Sequence, residues 1–168
     1  VRWVQGDYRD YDLGQRFDLV FVAFTSLLPL HDVDSYERFF AAASRHLAPT
    51  GRLIIDVFNP NVAMLATGKE RSKVLDFTDP ETGEAAWIDE SRVYDALSQV
   101  NRTTWTCASA TRQDYLTHDL HLRCLFPQEL RTMIQHAGFE VVQAYGNHRR
   151  EPLTSASGQQ ILVLKKKD

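Results

Sequence analysis

The residues best suited to chemistry are few and scattered along the chain. His31 follows directly on an apolar run, where an imidazole can take or give a proton near neutral pH. His118 and His121 lie in a later segment of mixed polarity. Asp56 stands inside the apolar string Leu53-Ile54-Ile55-Asp56, where a carboxylate must be hydrogen-bonded or wet, and Asn59 follows three residues on. Glu90, Arg92, Tyr94 and Arg123 can together form a charged and aromatic lining. Each has a plain reading beside the chemical one: a surface histidine, a capping Asp or Asn, a structural ion pair. Cys107 and Cys124 have no CxxC or Cys/His spacing near them, so two free thiols in a reducing compartment are expected rather than a disulfide or metal site.

The elements that must position these groups read as follows. Phe17–Phe24 is continuously apolar after Asp18, the pattern of a strand buried on both faces of a parallel sheet. Asp34 with Glu37 resembles a capping box, and Tyr36, Phe39, Phe40, Ala43 and Leu47 then recur at helical spacing until Pro49-Thr50-Gly51. Arg52–Phe58 is a second buried strand, and Val1–Gln5 is a short strand candidate ended by Gly6-Asp7. The texture changes after Asn59. Four segments, 73–78, 86–95, 98–109 and 114–125, are β-rich and joined by short turns, as expected of antiparallel strands with one wet face. Pro127 suits a first helical position; Leu130, Met133, Ile134 and Ala137 carry the stripe, and Gly138 suits a left-handed stop. Segments 140–145 and 160–165 finish the chain as strands. The expected architecture is a single α/β domain, 1–168, with an open sheet and an antiparallel β insertion over about 73–125.

A formal net charge of −3 gives no electrostatic reason to expect a nucleic-acid partner, and Lys165-Lys166-Lys167 reads as a solvated end. The longest apolar run, Leu19–Leu30, is broken by Thr25, Ser26 and Pro29 and is too short to span a bilayer, so no membrane partner is expected and the location is taken as cytoplasmic. The first residue is Val1, inside a strand-like segment, so the chain is expected to be a piece of a longer sequence.

Three strings in order, 4–30 (VQGDYRDYDLGQRFDLVFVAFTSLLPL), 45–60 (RHLAPTGRLIIDVFNP) and 122–146 (LRCLFPQELRTMIQHAGFEVVQAYG), resemble class I S-adenosylmethionine-dependent methyltransferases of the small-molecule type. The resemblance implies a partial Rossmann-like sheet whose first two strands are missing. It implies S-adenosylmethionine as cofactor, Asp7 and Tyr8 at its adenine, and Ala23, Phe24 and Thr25 beside it at the carboxyl end of a strand. Asp56, Asn59, Tyr94 and Arg123 are then expected to face a small-molecule acceptor, and His31 to serve as base, with His118 and His121 behind it. For Ala23, Phe24 and Thr25 ordinary core packing is the alternative; for Asp7 it is a simple strand end. The family's Gly-rich loop and ribose-binding acid have no counterpart here, and no GxGxG string occurs. An inactive remnant that pairs through sheet edges is the rival expectation. The string Asp56-Val57-Phe58-Asn59-Pro60-Asn61 differs in place and in its second proline from the Asn-Pro-Pro-aromatic motif of nucleic-acid amino methyltransferases.

The family's strand order also implies that the strands 17–24, 52–58, 160–165 and 140–145 are contiguous. Val1–Gln5 then lies three strand spacings away, roughly 14 Å at about 4.8 Å per strand. It is expected to be frayed, re-paired against 17–24, or completed by a second molecule, and the exposed edge of 17–24 invites such self-association.

Overall fold

A computed structural model describes residues 1–167, which form two units, Val1–Pro60 with Leu125 onward, and Asn61–Cys124. In the first unit, β1 (Phe17–Val22) runs parallel to β2 (Leu47–Phe58). β2 pairs antiparallel with β8 (Gln159–Lys166), which pairs antiparallel with β7 (Phe139–Tyr145). The sheet order β1-β2-β8-β7 is the expected contiguous set. Val1–Gln5 forms no strand and is exposed along its length, Trp3 at 91%.

Alternation along β2 explains the packing. Leu53, Ile55 and Val57 are fully buried, joined by Leu162 and Leu164 of β8. Helix α1 (Val33–His46) packs against β1 and β2 through Tyr36, Phe39, Phe40 and Ala43, and Phe40 meets Phe139 with ring centroids 5.9 Å apart. The buried Tyr36 hydroxyl donates to the Leu30 carbonyl at 2.7 Å. Helix α3 (Pro127–His136) lies against β7, with Leu130 and Ile134 fully buried. Its sequence signals are borne out: Pro127 opens the first turn, and Gly138 takes a left-handed φ of +80° at the stop.

Three local readings are corrected. The cap of α1 is Asp32, whose carboxylate accepts from the Ser35 amide at 2.8 Å, two residues before the box read at Asp34. Leu47 is the first residue of β2 rather than the last of the helix stripe, because Pro49-Thr50-Gly51 is carried within the strand. Gly51 suits that place, since a Cβ would lie 3.0 Å from the Phe17 carbonyl oxygen and the Leu47 side chain, so that a larger residue would need its neighbours to give. Finally, 17–24 is not buried on both faces. β1 ends at Val22, and Leu19 and Phe21 are 51% and 67% exposed, because β1 is an edge strand and their row is not the one that α1 covers.

In the second unit, the short helix α2 (Val62–Thr67) precedes an antiparallel sheet in the order β3-β4-β5-β6, comprising Lys69–Thr78, Ala85–Asp95, Val100–Ser109 and Leu116–Arg123. The helix was not read from the sequence; the Asn61 side chain caps it by accepting from the Met64 amide at 3.0 Å. Asp79 shapes the first hairpin by accepting from the Glu81 and Thr82 amides, and these bonds hold its carboxyl below the usual range. The buried positions of β4 and β5 are small or polar: Ala86, Val100, Thr103, Thr106, Ala108 and Ser109.

Candidate functional site

The carboxyl ends of β1 and β2 are where an open α/β sheet holds its ligands. Just past β1 the backbone turns through two successive left-handed residues, Phe24 (φ +52°) and Thr25 (φ +59°). Neither is glycine, and a β-branched residue there is strained. The Thr25 amide donates to the Asp56 carbonyl at 3.0 Å, tying this turn to the end of β2. As a result the Phe24 ring is 87% exposed, which excludes core packing for it, while Ala23 and Thr25 are half-buried.

Asp56 itself is 8% exposed, and its Oδ2 lies 3.1 Å from Nε2 of His148, on the loop between β7 and β8. That loop is stapled on both sides of His148. Asn147 accepts from the Arg149 amide at 2.9 Å and donates to Glu151 at 2.6 Å, and the Gly146 amide donates to the Glu151 carbonyl at 2.8 Å. Asn59 donates through Nδ2 to the Ser157 carbonyl at 2.9 Å, while its amide donates to the Gly158 carbonyl. Asn59 therefore fastens the loop to the end of β2. A cavity of about 560 Å³ opens here, walled by Phe21, Ala23, Ile54, Asp56, Tyr145 and His148.

The other predicted residues are spread more widely. Asp7 is exposed and bound by Arg9, whose Nε lies 3.0 Å from both carboxylate oxygens and whose Nη2 lies 2.6 Å from Oδ2. The Arg9 side-chain bonds, with the Arg9 amide, lower its carboxyl to about 2. Tyr8 donates its hydroxyl to the Ser26 carbonyl at 3.1 Å and stands edge-on to Phe39, and burial raises its phenol. Beside β1 a cavity of about 530 Å³ is lined by Tyr8, Tyr11, Phe17, Phe21, Ala23 and Phe39; Asp7 lines a separate depression with Gly6 and Arg9. Tyr8 lines both.

His31 is exposed. In the second unit Tyr94 is half-buried and Arg123 donates to Gln99 at 2.9 Å. His118 is exposed and stacks on Trp105, 6.0 Å between centroids, and His121 is exposed. Glu90 accepts from Trp105 Nε1 at 2.8 Å and from Lys69 at 3.2 Å and pairs with Arg92 at 3.2 Å, bonds that draw its carboxyl down against burial, the largest effect, which raises it. Sequence reasoning missed His148 altogether; its only signal was an imidazole in a polar loop between two strands. Among the described residues no group of three or more His, Cys, Asp or Glu is placed to hold a metal, and no helix is long and apolar enough to cross a membrane. Neither cysteine is in a disulfide.

No family model matches the chain. Over 166 residues it is 24% identical to the cypemycin N-terminal methyltransferase of a Streptomyces species, a match that takes in 99% of this chain and 65% of that protein. Among solved structures it is similar to the CcbJ methyltransferase from Streptomyces caelestis, with a TM-score of 0.80 at 24% identity, over 98% of this chain and 63% of the other. It is also similar to CalS10 from Micromonospora echinaspora, an amino pentose methyltransferase solved with S-adenosylmethionine bound, with a TM-score of 0.65 at 21% identity over 96% and 63% of the two chains. The chain thus spans just under two thirds of the length of the proteins it matches, and over that span it has the fold of the class I S-adenosylmethionine-dependent methyltransferases.

Proposed function

We propose that the protein to which these residues belong transfers a methyl group from S-adenosylmethionine to an amine of a small molecule. The observation that carries the reading is likeness over nearly the whole chain, in sequence to a protein whose name specifies methyl transfer to an N-terminus and in fold to one whose name specifies an amino pentose. Two depressions support the reading at one end of the cofactor. The slot beside Tyr8 and Ala23 has the size and apolar walls of a small-molecule site, with the Asp7 carboxylate in the adjoining depression. Tyr8 and Asp7 would hold the adenine, and Ala23, Phe24 and Thr25 would border the reacting end. The cofactor supplies a methyl on a cationic sulfur; the protein's part is alignment and exclusion of water. Asp56 and Asn59, at the same sheet edge, would face the acceptor, and Tyr94 and Arg123 are kept as proposed acceptor contacts. His31, His118 and His121 have no observation that singles out any one as the base.

Nothing in these 168 residues supplies a Gly-rich phosphate-type turn or a ribose-binding acid. The activity is therefore assigned to the longer protein, and this chain alone is read as an incomplete methyltransferase domain carrying an antiparallel insertion. Two cysteines outside any disulfide suit a cytoplasmic setting. A second reading, a non-catalytic module that self-associates through its sheet edge, is favoured by one observation: β1 has a free edge with Leu19 and Phe21 exposed.

Calorimetry with S-adenosylmethionine separates the two. The 168-residue chain should bind weakly or not at all. The chain extended to its relatives' length should bind, and Asp7→Ala should weaken that binding by about tenfold, the scale of one lost hydrogen bond to a charged group, with the fold intact. No binding by the extended chain would leave only the second reading; unchanged affinity in Asp7→Ala would remove Asp7 from the site.

A further inference from the structure

We propose that His148, oriented by Asp56, is the group that takes the proton from the methyl acceptor, in place of His31. The inference rests on the methyl-transfer reading and deepens it. An ionised carboxylate only accepts hydrogen bonds, so a 3.1 Å contact between Asp56 Oδ2 and His148 Nε2 places the imidazole proton on Nε2. Nδ1 is then the unprotonated nitrogen. It has no partner among the described residues, and the His148 side chain is 65% exposed while that of Asp56 is 11% exposed. A buried carboxylate behind an accessible imidazole fixes its tautomer and its direction, the relation found wherever a carboxylate orients a general base.

The surroundings suit the task. The pair lies in the cavity walled by Ala23, Ile54 and Tyr145, whose other charged groups are Arg52 and Arg150, and Tyr145 is the remaining titratable one. Asp56 is bonded through its backbone to the strained turn that holds Phe24. The Asn147 and Asn59 bonds hold the loop independently of the pair, so His148 is not needed as its fastener. In the step, the acceptor's ammonium N–H bond breaks and its electron pair stays on the acceptor nitrogen. The proton passes to His148 Nδ1, giving an imidazolium stabilised by Asp56, and the acceptor is left with the lone pair that attack on a methyl donor requires.

Two measurements on the chain test this without cofactor or acceptor. Nitrogen-15 spectra of the imidazoles at mildly alkaline pH should show His148 protonated at Nε2 and bare at Nδ1. Diethyl pyrocarbonate, which acylates unprotonated imidazole nitrogen, should modify His148 several-fold faster than His118 or His136 when sites are mapped by mass spectrometry. Asp56→Asn keeps an acceptor for Nε2–H but removes the charge, and should abolish that advantage with unchanged thermal unfolding. The opposite tautomer, a His148 rate no higher than that of His136, or a rate indifferent to Asp56→Asn would overturn the proposal. Should Asp56→Asn not fold, the tautomer and the ranking of histidines in the unaltered chain still decide it. Failure of the cofactor to bind the extended chain would sink the methyl-transfer reading while leaving both results standing.

Discussion

The two units are built from the same kind of element and held together by different means. In the sheet β1-β2-β8-β7 one face is sealed by helices, and Leu53, Ile55, Leu162, Leu164, Leu130, Ile134 and Phe139 are nearly or wholly removed from water. In the sheet β3-β4-β5-β6 the buried members are Ala, Val, Thr and Ser, and the long side chains are spent on polar networks such as Glu90 with Lys69, Arg92 and Trp105. The first arrangement draws its stability from apolar area, the second from ladder hydrogen bonds between paired strands. A sheet that leaves its large residues half-exposed has surface to give to a ligand; a sheet sealed on one face has rigidity to give to a site.

The largest effect expected from this contrast is in the sealed core. Leu53→Ala removes a fully buried side chain and should cost roughly 2–5 kcal/mol in urea unfolding followed by circular dichroism. A loss well under 1 kcal/mol would mean that the helices do not seal that face in solution. A much smaller effect is expected in the other unit. Arg71 pairs with Asp89 at 2.9 Å and Asp114 at 2.5 Å, which pushes its guanidinium further up, yet its side chain is 45% exposed. Arg71→Ala should leave the unfolding midpoint unchanged within error, since solvent and side-chain entropy offset exposed pairs. A shift comparable to that of Leu53→Ala would break the comparison.

The smallest effect concerns Asp7, whose folded carboxyl is lowered to about 2 from 3.8 by the Arg9 side chain. A depressed value stabilises the folded state above the unfolded pKa and loses that contribution as pH falls from 3.8 through about 2. Carbon-detected titration of the Asp7 carboxyl should place its midpoint near 2, with the Arg9 to Ser35 bond lost over the same interval. A midpoint at the ordinary aspartate value would show the pair to be open in solution.

Much of the sealed unit was legible because its signals are local. The apolar runs gave β1 and β2, the stripe from Tyr36 gave α1, and Pro127 with Gly138 bracketed α3. What escaped was short or non-local. Helix α2 has six residues, too few to show a period. The exposure of Leu19 and Phe21 depends on what covers β1, which an apolar run cannot tell. Asp56 was singled out from its apolar setting, but its partner stands 92 positions away. Only the pairing of β2 with β8 and the stapled loop bring His148 to it. The position of Phe24 was read at the right strand end, yet its outward aim is set by a backbone turn that no residue type announces.

That turn has a consequence for how the sequence can drift. Phe24 and Thr25 each occupy a conformation that suits glycine, at a cost on the order of 1–3 kcal/mol apiece. A laboratory lineage selected for heat resistance alone would be expected to fix glycine at one or both positions, and at 24 it would discard the ring outright. A lineage selected for turnover, under the reading proposed above, would keep both residues and accept the lower melting point. The pair marks a place where durability and use pull the chain in opposite directions.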